Sequence, residues 1–91
     1  MREDDNEVMK KEWFKDILRE RIDELCNETG VSYYTLSYRS LIPMTTLMHI
    51  ADGTTKNPGI YTILKICEGF GITLKEFFDT EEFENLIKEY E

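Results

Sequence analysis

The 91-residue chain has no long apolar run and only two cysteines. No segment approaches the roughly 20 apolar residues of a membrane span, and the opening MREDDNEVMKKE lacks the hydrophobic stretch of a signal peptide. We therefore expect a cytoplasmic protein. Cys26 and Cys67 are too few and too widely spaced for a disulfide framework, and without a CxxC motif a zinc site would have to recruit the single histidine, His49. We expect two free thiols in the core, and neither a metal nor a cofactor.

Positive charge is also scarce: 11 Lys and Arg residues stand against 19 Asp and Glu, which gives a net charge of -8. Affinity for phosphates comes largely from Lys and Arg, so the total argues against a nucleic-acid partner. The charge is unevenly distributed, at -4 over residues 1–30, +2 over 31–66 and -6 over 67–91. The middle third is thus the only part that a polyanion can approach without repulsion.

The apolar spacing predicts helices throughout and no strand. Residues 1–10 are charged and almost without apolar side chains, which predicts a flexible arm or a frayed extension of the first helix. From Trp13 to Glu28 the apolar residues recur at steps of three and four, the pattern of a helix with one buried stripe. Gly30 is placed to end this helix.

Two short helices follow, with a tight turn around Leu41 and Ile42. Ser32 is a suitable N-cap for a second helix to about Ser40, with Leu36 facing inward and Ser37 small enough for close approach of a neighbouring helix.

The third helix is predicted over residues 43–52, with Pro43 in its first turn, where a missing N–H costs nothing. Its inward face is supplied by Leu47 and Ile50, and Gly53 ends it. The segment TTKNPG, residues 54–59, collects turn formers and predicts an exposed loop.

Three more helices complete the chain. The fourth carries an apolar stripe and ends at Gly71; the stripe consists of Ile60, Ile63, Leu64, Cys67 and Phe70. Thr73 and Glu76 stand three apart as a capping box for a short fifth helix. The sixth has acidic groups on one side and an apolar stripe on the other, made of Phe83, Leu86, Ile87 and Tyr90. We divide the chain into an arm (1–10), a helical domain (11–79) and a C-terminal helix (80–91).

A short helix, a tight turn and a second short helix, with helical supports on both sides, is the arrangement that presents one helix to the major groove of DNA. The amino-acid sequence of this region is more specific evidence than the arrangement of its helices. The stretch RIDELCNETGVSYYTLSYRS, followed by LIPMTTLMHIADGTTKNPGIYTILKICEGFGITLKEFF, closely resembles the Cro/repressor-type (XRE) helix-turn-helix family. The resemblance covers residues 17–78 and implies an all-α, five-helix, lambda-repressor-like domain, to which the acidic C-terminal helix is added.

The resemblance also implies a set of DNA contacts. The third helix is the recognition helix in this family, and the matching positions that face base edges are Met44, Thr45, Met48 and His49. Sugar-phosphate contacts match a second set, to which we add Arg39 because of its charge: Tyr33, Arg39, Thr46, Lys56 and Asn57.

The sequence departs from the family pattern at four positions. Two reading positions carry methionine, which makes no bidentate contact with a base but can pack against a thymine methyl. Pro43 stands where a serine often caps the recognition helix, and Leu41 where glycine is frequent in the turn.

Each assignment has a plainer alternative. Thr45 and His49 share a helix face, which serves either for reading bases or merely as a solvated surface, and Arg39 contacts either phosphate or a nearby carboxylate. Five aromatic side chains are more typical of a core than of a ligand cage: Trp13, Phe14, Phe70, Phe77 and Phe78. No nucleophile and orienting partner accompany His49, so we expect no enzyme.

We therefore predict a sequence-specific transcriptional regulator of double-stranded DNA, more often a repressor. The stripe of the sixth helix either folds over the core or contacts a second copy, and we favour a homodimer, whose recognition helices would lie about 34 Å apart. The alternative function is a protein-interaction module of the same fold, which binds through the methionine-bearing third helix or through the sixth.

Overall fold

The computed structural model describes the backbone of residues 3–89 and the side chains of residues 7–88. Within this part of the chain there are six helices and no strand. The helices are α1 (Glu3–Thr29), α2 (Tyr33–Ser40), α3 (Met44–Ala51), α4 (Ile60–Phe70), α5 (Leu74–Phe78) and α6 (Glu81–Glu89). The predicted all-α architecture is confirmed. None of the described helices is long and apolar enough to span a membrane.

The helix boundaries follow the capping residues of the sequence. Ser32 accepts a hydrogen bond from the backbone N–H of Thr35 at 3.1 Å, and Thr73 with Glu76 forms the expected reciprocal capping box of α5. Gly30 and Gly71 end α1 and α4 with φ of 74° each, in the left-handed region that glycine adopts without steric cost. These terminal signals are local, so the sequence alone was enough to place them.

Two boundaries differ in detail from the sequence prediction. Residues 3–10 are helical and continue α1 without a break, which corresponds to the second of the two alternatives for this segment. Pro43 precedes α3 as its N-cap residue, with φ of -54° and ψ of 141°, instead of lying in the first turn. Pro43 therefore ends the turn in an extended conformation and supplies no side-chain cap.

The core is one apolar cluster to which all six helices contribute. The predicted inward residues Leu36, Leu47 and Ile50 are at most 1% exposed. Cys67 is buried and Cys26 half-buried, and both are free thiols. Burial raises the pKa of both thiols above the ordinary value, so they remain protonated at neutral pH.

Helices α4 and α2 pack closely where they cross. A Cβ atom on Gly69 would come within 2.6 Å of Leu36 Cδ1 and 3.2 Å of Ser40 Cβ, so a larger residue here would force the buried Leu36 side chain to shift. Ser37, predicted to permit the approach, has another role: its hydroxyl donates to the Ile42 carbonyl at 2.6 Å. The small residues at the crossing are Gly69 and Ser40, since their Cβ positions face each other.

The sixth helix folds back onto α1 and α5. Phe83 and Leu86 are 8% and 7% exposed, and the Phe83 ring lies 4.9 Å from that of Phe78 and 6.4 Å from that of Phe14. Half of the stripe assigned to a second copy is therefore buried within the chain, where Phe14 and Phe78 pack against the same core cluster. Ile87 is exposed, and Tyr90 lies outside the described residues.

Candidate nucleic-acid interface

The turn between α2 and α3 is built by a residue in an unusual conformation. Leu41 has φ of 61° and ψ of 28°, a left-handed conformation that costs a non-glycine residue roughly 1–2 kcal/mol. Ile42, buried next to it, donates its N–H to the Ser40 hydroxyl at 3.3 Å, while its carbonyl accepts from Ser37. These bonds and the burial of Ile42 maintain the turn with leucine where glycine would be favoured, and so fix the direction in which α3 leaves α2.

α3 has a buried face and an exposed face. Leu47 and Ile50 anchor it in the core, whereas Thr45 and His49 are on the outer side one turn apart. Met44 is 36% exposed, and Met48 and Thr46 are both half-buried. The outer face of α3 is therefore formed by a hydroxyl, an imidazole and one well-exposed thioether side chain, with Met48 at its margin.

The carboxyl end of α3 is closed by local hydrogen bonds. Thr55 donates its N–H to the His49 carbonyl at 2.9 Å, and Thr54 donates its N–H to Asp52 Oδ1 at 2.8 Å. Hydrogen bonds from Thr54 lower the pKa of Asp52, so a carboxylate lies at this end of the helix. Gly53, with φ of 83°, is covered by the aliphatic part of Lys15, 3.3 Å from the position of a Cβ.

Helix α1 also holds this end of α3. The Arg19 Nε–H donates to the Ala51 carbonyl, at an Nε–O distance of 2.7 Å, and so satisfies one of the carbonyls that a helix end leaves unpaired. The two residues are 32 positions apart. Neither Arg19 nor Lys15 has a role that was predicted from the sequence, and no local motif could have shown this contact.

The five expected backbone contacts lie on three elements around α3. Tyr33 is the first residue of α2 and Arg39 is exposed in its last turn. Thr46 lies on α3, and Lys56 and Asn57 lie in the loop between α3 and α4.

Two of these five side chains already have acidic partners on α1. The Tyr33 hydroxyl donates to Asp23 Oδ1; burial and this hydrogen bond raise the pKa of Tyr33 above its ordinary value. Lys56 Nζ lies 2.7 Å from Glu12 Oε1, and Lys15 binds the other oxygen of the same carboxylate, also at 2.7 Å. The two lysines, Lys15 first, lower the pKa of Glu12 to about 2.

This geometry agrees with the comparison with known families. Residues 21–82 match the Cro/C1-type HTH DNA-binding domain. The chain belongs to this family. The match spans all of α2, α3, α4 and α5, so the α2–turn–α3 unit is the helix-turn-helix of the Cro/C1-type domain. Searches of curated proteins and of solved structures returned no match.

The family match also separates two parts of the interface. Tyr33, Asp23 and the loop with Lys56 lie inside residues 21–82, whereas Glu12, Lys15 and Arg19 lie before them. The side chains that hold α3 and its loop from α1 thus lie outside the matched residues. Among the described residues, no group of three or more His, Cys, Asp or Glu side chains could hold a metal ion.

Proposed function

We propose that this Cro/C1-type domain is a sequence-specific regulator of transcription, acting as a repressor in the cytoplasm, that reads the major groove of double-stranded DNA with α3. The observation that supports this best is the outer face of α3, on a helix fixed by its buried face, by the Leu41 turn and by Arg19. A recognition helix must be positioned rigidly, because specificity depends on the geometry of hydrogen bonds to base edges.

Thr45 and His49 supply the hydrogen bonds to bases in this proposal. Met44 packs against a thymine methyl, since its thioether chain is apolar and reaches the surface. Met48 contributes less contact area because it lies at the margin of the outer face. We therefore expect a site in which A·T pairs with exposed methyl groups are preferred at the positions facing Met44.

Backbone contacts come from the five residues around α3 described above: Tyr33, Arg39, Thr46, Lys56 and Asn57. Only two of them are cations, and the whole chain carries a net charge of -8. We expect modest affinity and a shallow dependence on salt, with a slope no steeper than about -2 in log K against log salt concentration, because each phosphate neutralised by a free cation contributes about -0.9.

The regulator binds as a homodimer in this proposal, with two half-sites about 34 Å apart. The contact between copies uses Ile87, which is 62% exposed on α6, together with Tyr90. Phe83 and Leu86 support this surface from beneath, since they are committed to the core of their own chain.

Selection from a randomised duplex library tests the proposal, followed by fluorescence anisotropy of the enriched duplex and a scrambled one. We expect a two-fold motif and much tighter binding of the enriched duplex. His49→Ala should weaken binding to the enriched duplex about 5- to 150-fold, equivalent to 1–3 kcal/mol per base contact, with little change for scrambled DNA. Lys75→Ala, a cation on α5, serves as the control for Lys56→Ala, which should weaken binding to both duplexes.

A second candidate function is a protein-interaction module, and one observation favours it. Tyr34 and Tyr38 on α2, together with Leu41 in the turn that follows, form an exposed stripe whose members are 75–79% exposed. An apolar stripe of this kind is typical of a surface that binds another protein. The stripe lies on α2 and the turn that follows, not on the third or sixth helix where the sequence predicted such a surface. Equal weak binding to every duplex would favour this function.

A further inference from the structure

The two carboxylates that hold Lys56 and Tyr33 come from one face of α1. Glu12 and Asp23 are 11 residues apart, close to three helical turns, which places them on the same side of the helix about 16 Å apart. Arg19, which donates to the end of α3, lies between them at steps of seven and four. This stripe of α1 therefore runs alongside the helix-turn-helix unit and has an acidic group at each end.

The acidic groups are bound to residues from the two elements that flank α3 in the chain. Asp23 accepts from the hydroxyl of the first residue of α2, and Glu12 binds the only cation of the loop after α3. In helix-turn-helix proteins the first helix crosses the DNA backbone while the second enters the groove. Both carboxylates thus occupy donors that the proposed function assigns to phosphates.

Carboxylate and phosphate oxygens are interchangeable acceptors for these donors. Both form short, charge-assisted hydrogen bonds with ammonium and hydroxyl groups. Glu12 has a pKa of about 2 because Lys15 and Lys56 bind it, so it carries a full negative charge at any pH suited to DNA binding. A phosphate that approaches Lys56 must therefore displace this carboxylate or share the lysine with it.

We propose that Glu12 and Asp23 are internal anions that occupy the phosphate-binding groups of the free protein and oppose DNA, so that α1 sets the affinity of the interface. This inference rests on the proposed function and extends it to residues that do not contact DNA. Lys56 exchanges one anion for another on binding, which reduces both the gain in free energy and the release of counterions from the duplex. The shallow salt dependence of the protein then has a structural origin in α1.

Measurement of duplex affinity against salt concentration tests the proposal with the full chain. Glu12→Gln should tighten binding about 3- to 10-fold and steepen the salt slope by up to about one, because Lys56 is then neutralised by phosphate alone. Asp23→Asn should tighten binding less, since Tyr33 is uncharged. Glu84→Gln is the matched control: it removes the same charge from an exposed carboxylate that pairs with a lysine, Lys88, at 3.2 Å on α6.

A second background separates the direct effect from a general change in charge. In a Lys56→Ala protein, Glu12→Gln should tighten binding no more than Glu84→Gln does. Thermal unfolding of each variant verifies that it is folded under the binding conditions.

The outcomes distinguish this inference from the proposed function. If the protein and all variants fail to bind any duplex, both are wrong. If the protein binds an enriched duplex but Glu12→Gln equals Glu84→Gln or weakens binding, the inference alone is overturned, and Glu12 orients Lys56 toward phosphate instead of opposing it.

Discussion

Close apolar packing against α4 holds the helix-turn-helix unit on one side. Hydrogen bonds and ion pairs from α1 hold it on the other. Against α4, the α2 helix packs so closely that Gly69 has no room for a Cβ atom beside Leu36. Around α3, the holding contacts are hydrogen bonds and ion pairs from side chains of α1, such as Arg19 to Ala51 and Glu12 to Lys56. The packing against α4 determines whether the unit folds. The polar contacts from α1 determine the orientation of α3 and of the loop after it.

Gly69→Ala should disrupt the packing of α4 against α2 and have the largest effect on the free energy of unfolding. Leu36 is completely buried and cannot move away, so overpacking should lower the free energy of unfolding by about 1–3 kcal/mol. Urea denaturation followed by circular dichroism measures this. Gly59→Ala is the control, because nothing lies within 4 Å of a Cβ there and the loss at this N-cap position should stay below about 1 kcal/mol. Equal losses for the two variants would contradict the packing argument.

Arg19→Ala should weaken the hold of α1 on the end of α3, with a smaller effect on stability. It removes the donor to the Ala51 carbonyl, and hydrogen bonds to charged groups are worth about 1.5–3 kcal/mol. Because the Arg19 side chain is 39% exposed, solvent compensates in part and we expect a loss of about 1 kcal/mol. Amide hydrogen exchange should show faster exchange in the last turn of α3. Arg39→Ala, exposed on α2, should change neither quantity; an unchanged exchange rate in the Arg19 variant would show that the bond does not hold α3.

Leu41→Gly should improve the turn between α2 and α3 and raise the stability slightly. Glycine relieves the left-handed strain of roughly 1–2 kcal/mol but costs up to about 1 kcal/mol through the more flexible unfolded chain. The net expectation is a gain of about 0.5 kcal/mol in the free energy of unfolding, and the core should keep its packing because the Leu41 side chain is 78% exposed. Leu41→Ala keeps the Cβ atom and should give no gain. A loss in the glycine variant would mean that the exposed leucine stabilises the fold through its neighbours on the surface.

Much of the fold was predictable because its signals are local. Ser32, Thr73 and the glycines that end α1 and α4 mark helix termini through bonds to residues within five positions. The inward positions of α3 followed from spacing alone. That Gly69 and Ser40 face each other where α4 crosses α2 was not predictable in this way, because it depends on how two distant helices are rotated against each other.

The candidate site was predictable only as a set of positions on α2, α3 and the following loop. The ion pairs, hydrogen bonds and burial of its side chains in the folded protein were not predictable. That Lys56 is paired with Glu12, that Tyr33 donates to Asp23, and that Phe83 and Leu86 are buried within their own chain all depend on contacts between residues distant in the sequence. No periodicity or motif records such contacts.

Local signals in the sequence were enough for six helices, most of their ends and the family, because capping, apolar spacing and short residue motifs act over a few neighbouring positions. The tertiary structure decided which charges meet, which apolar stripe is covered and how α3 is held. The physical reason is that a short polar bond such as the 2.7 Å bond from Arg19 to Ala51 forms only when two helices distant in the chain are brought together, and only the packing of the whole core sets that distance.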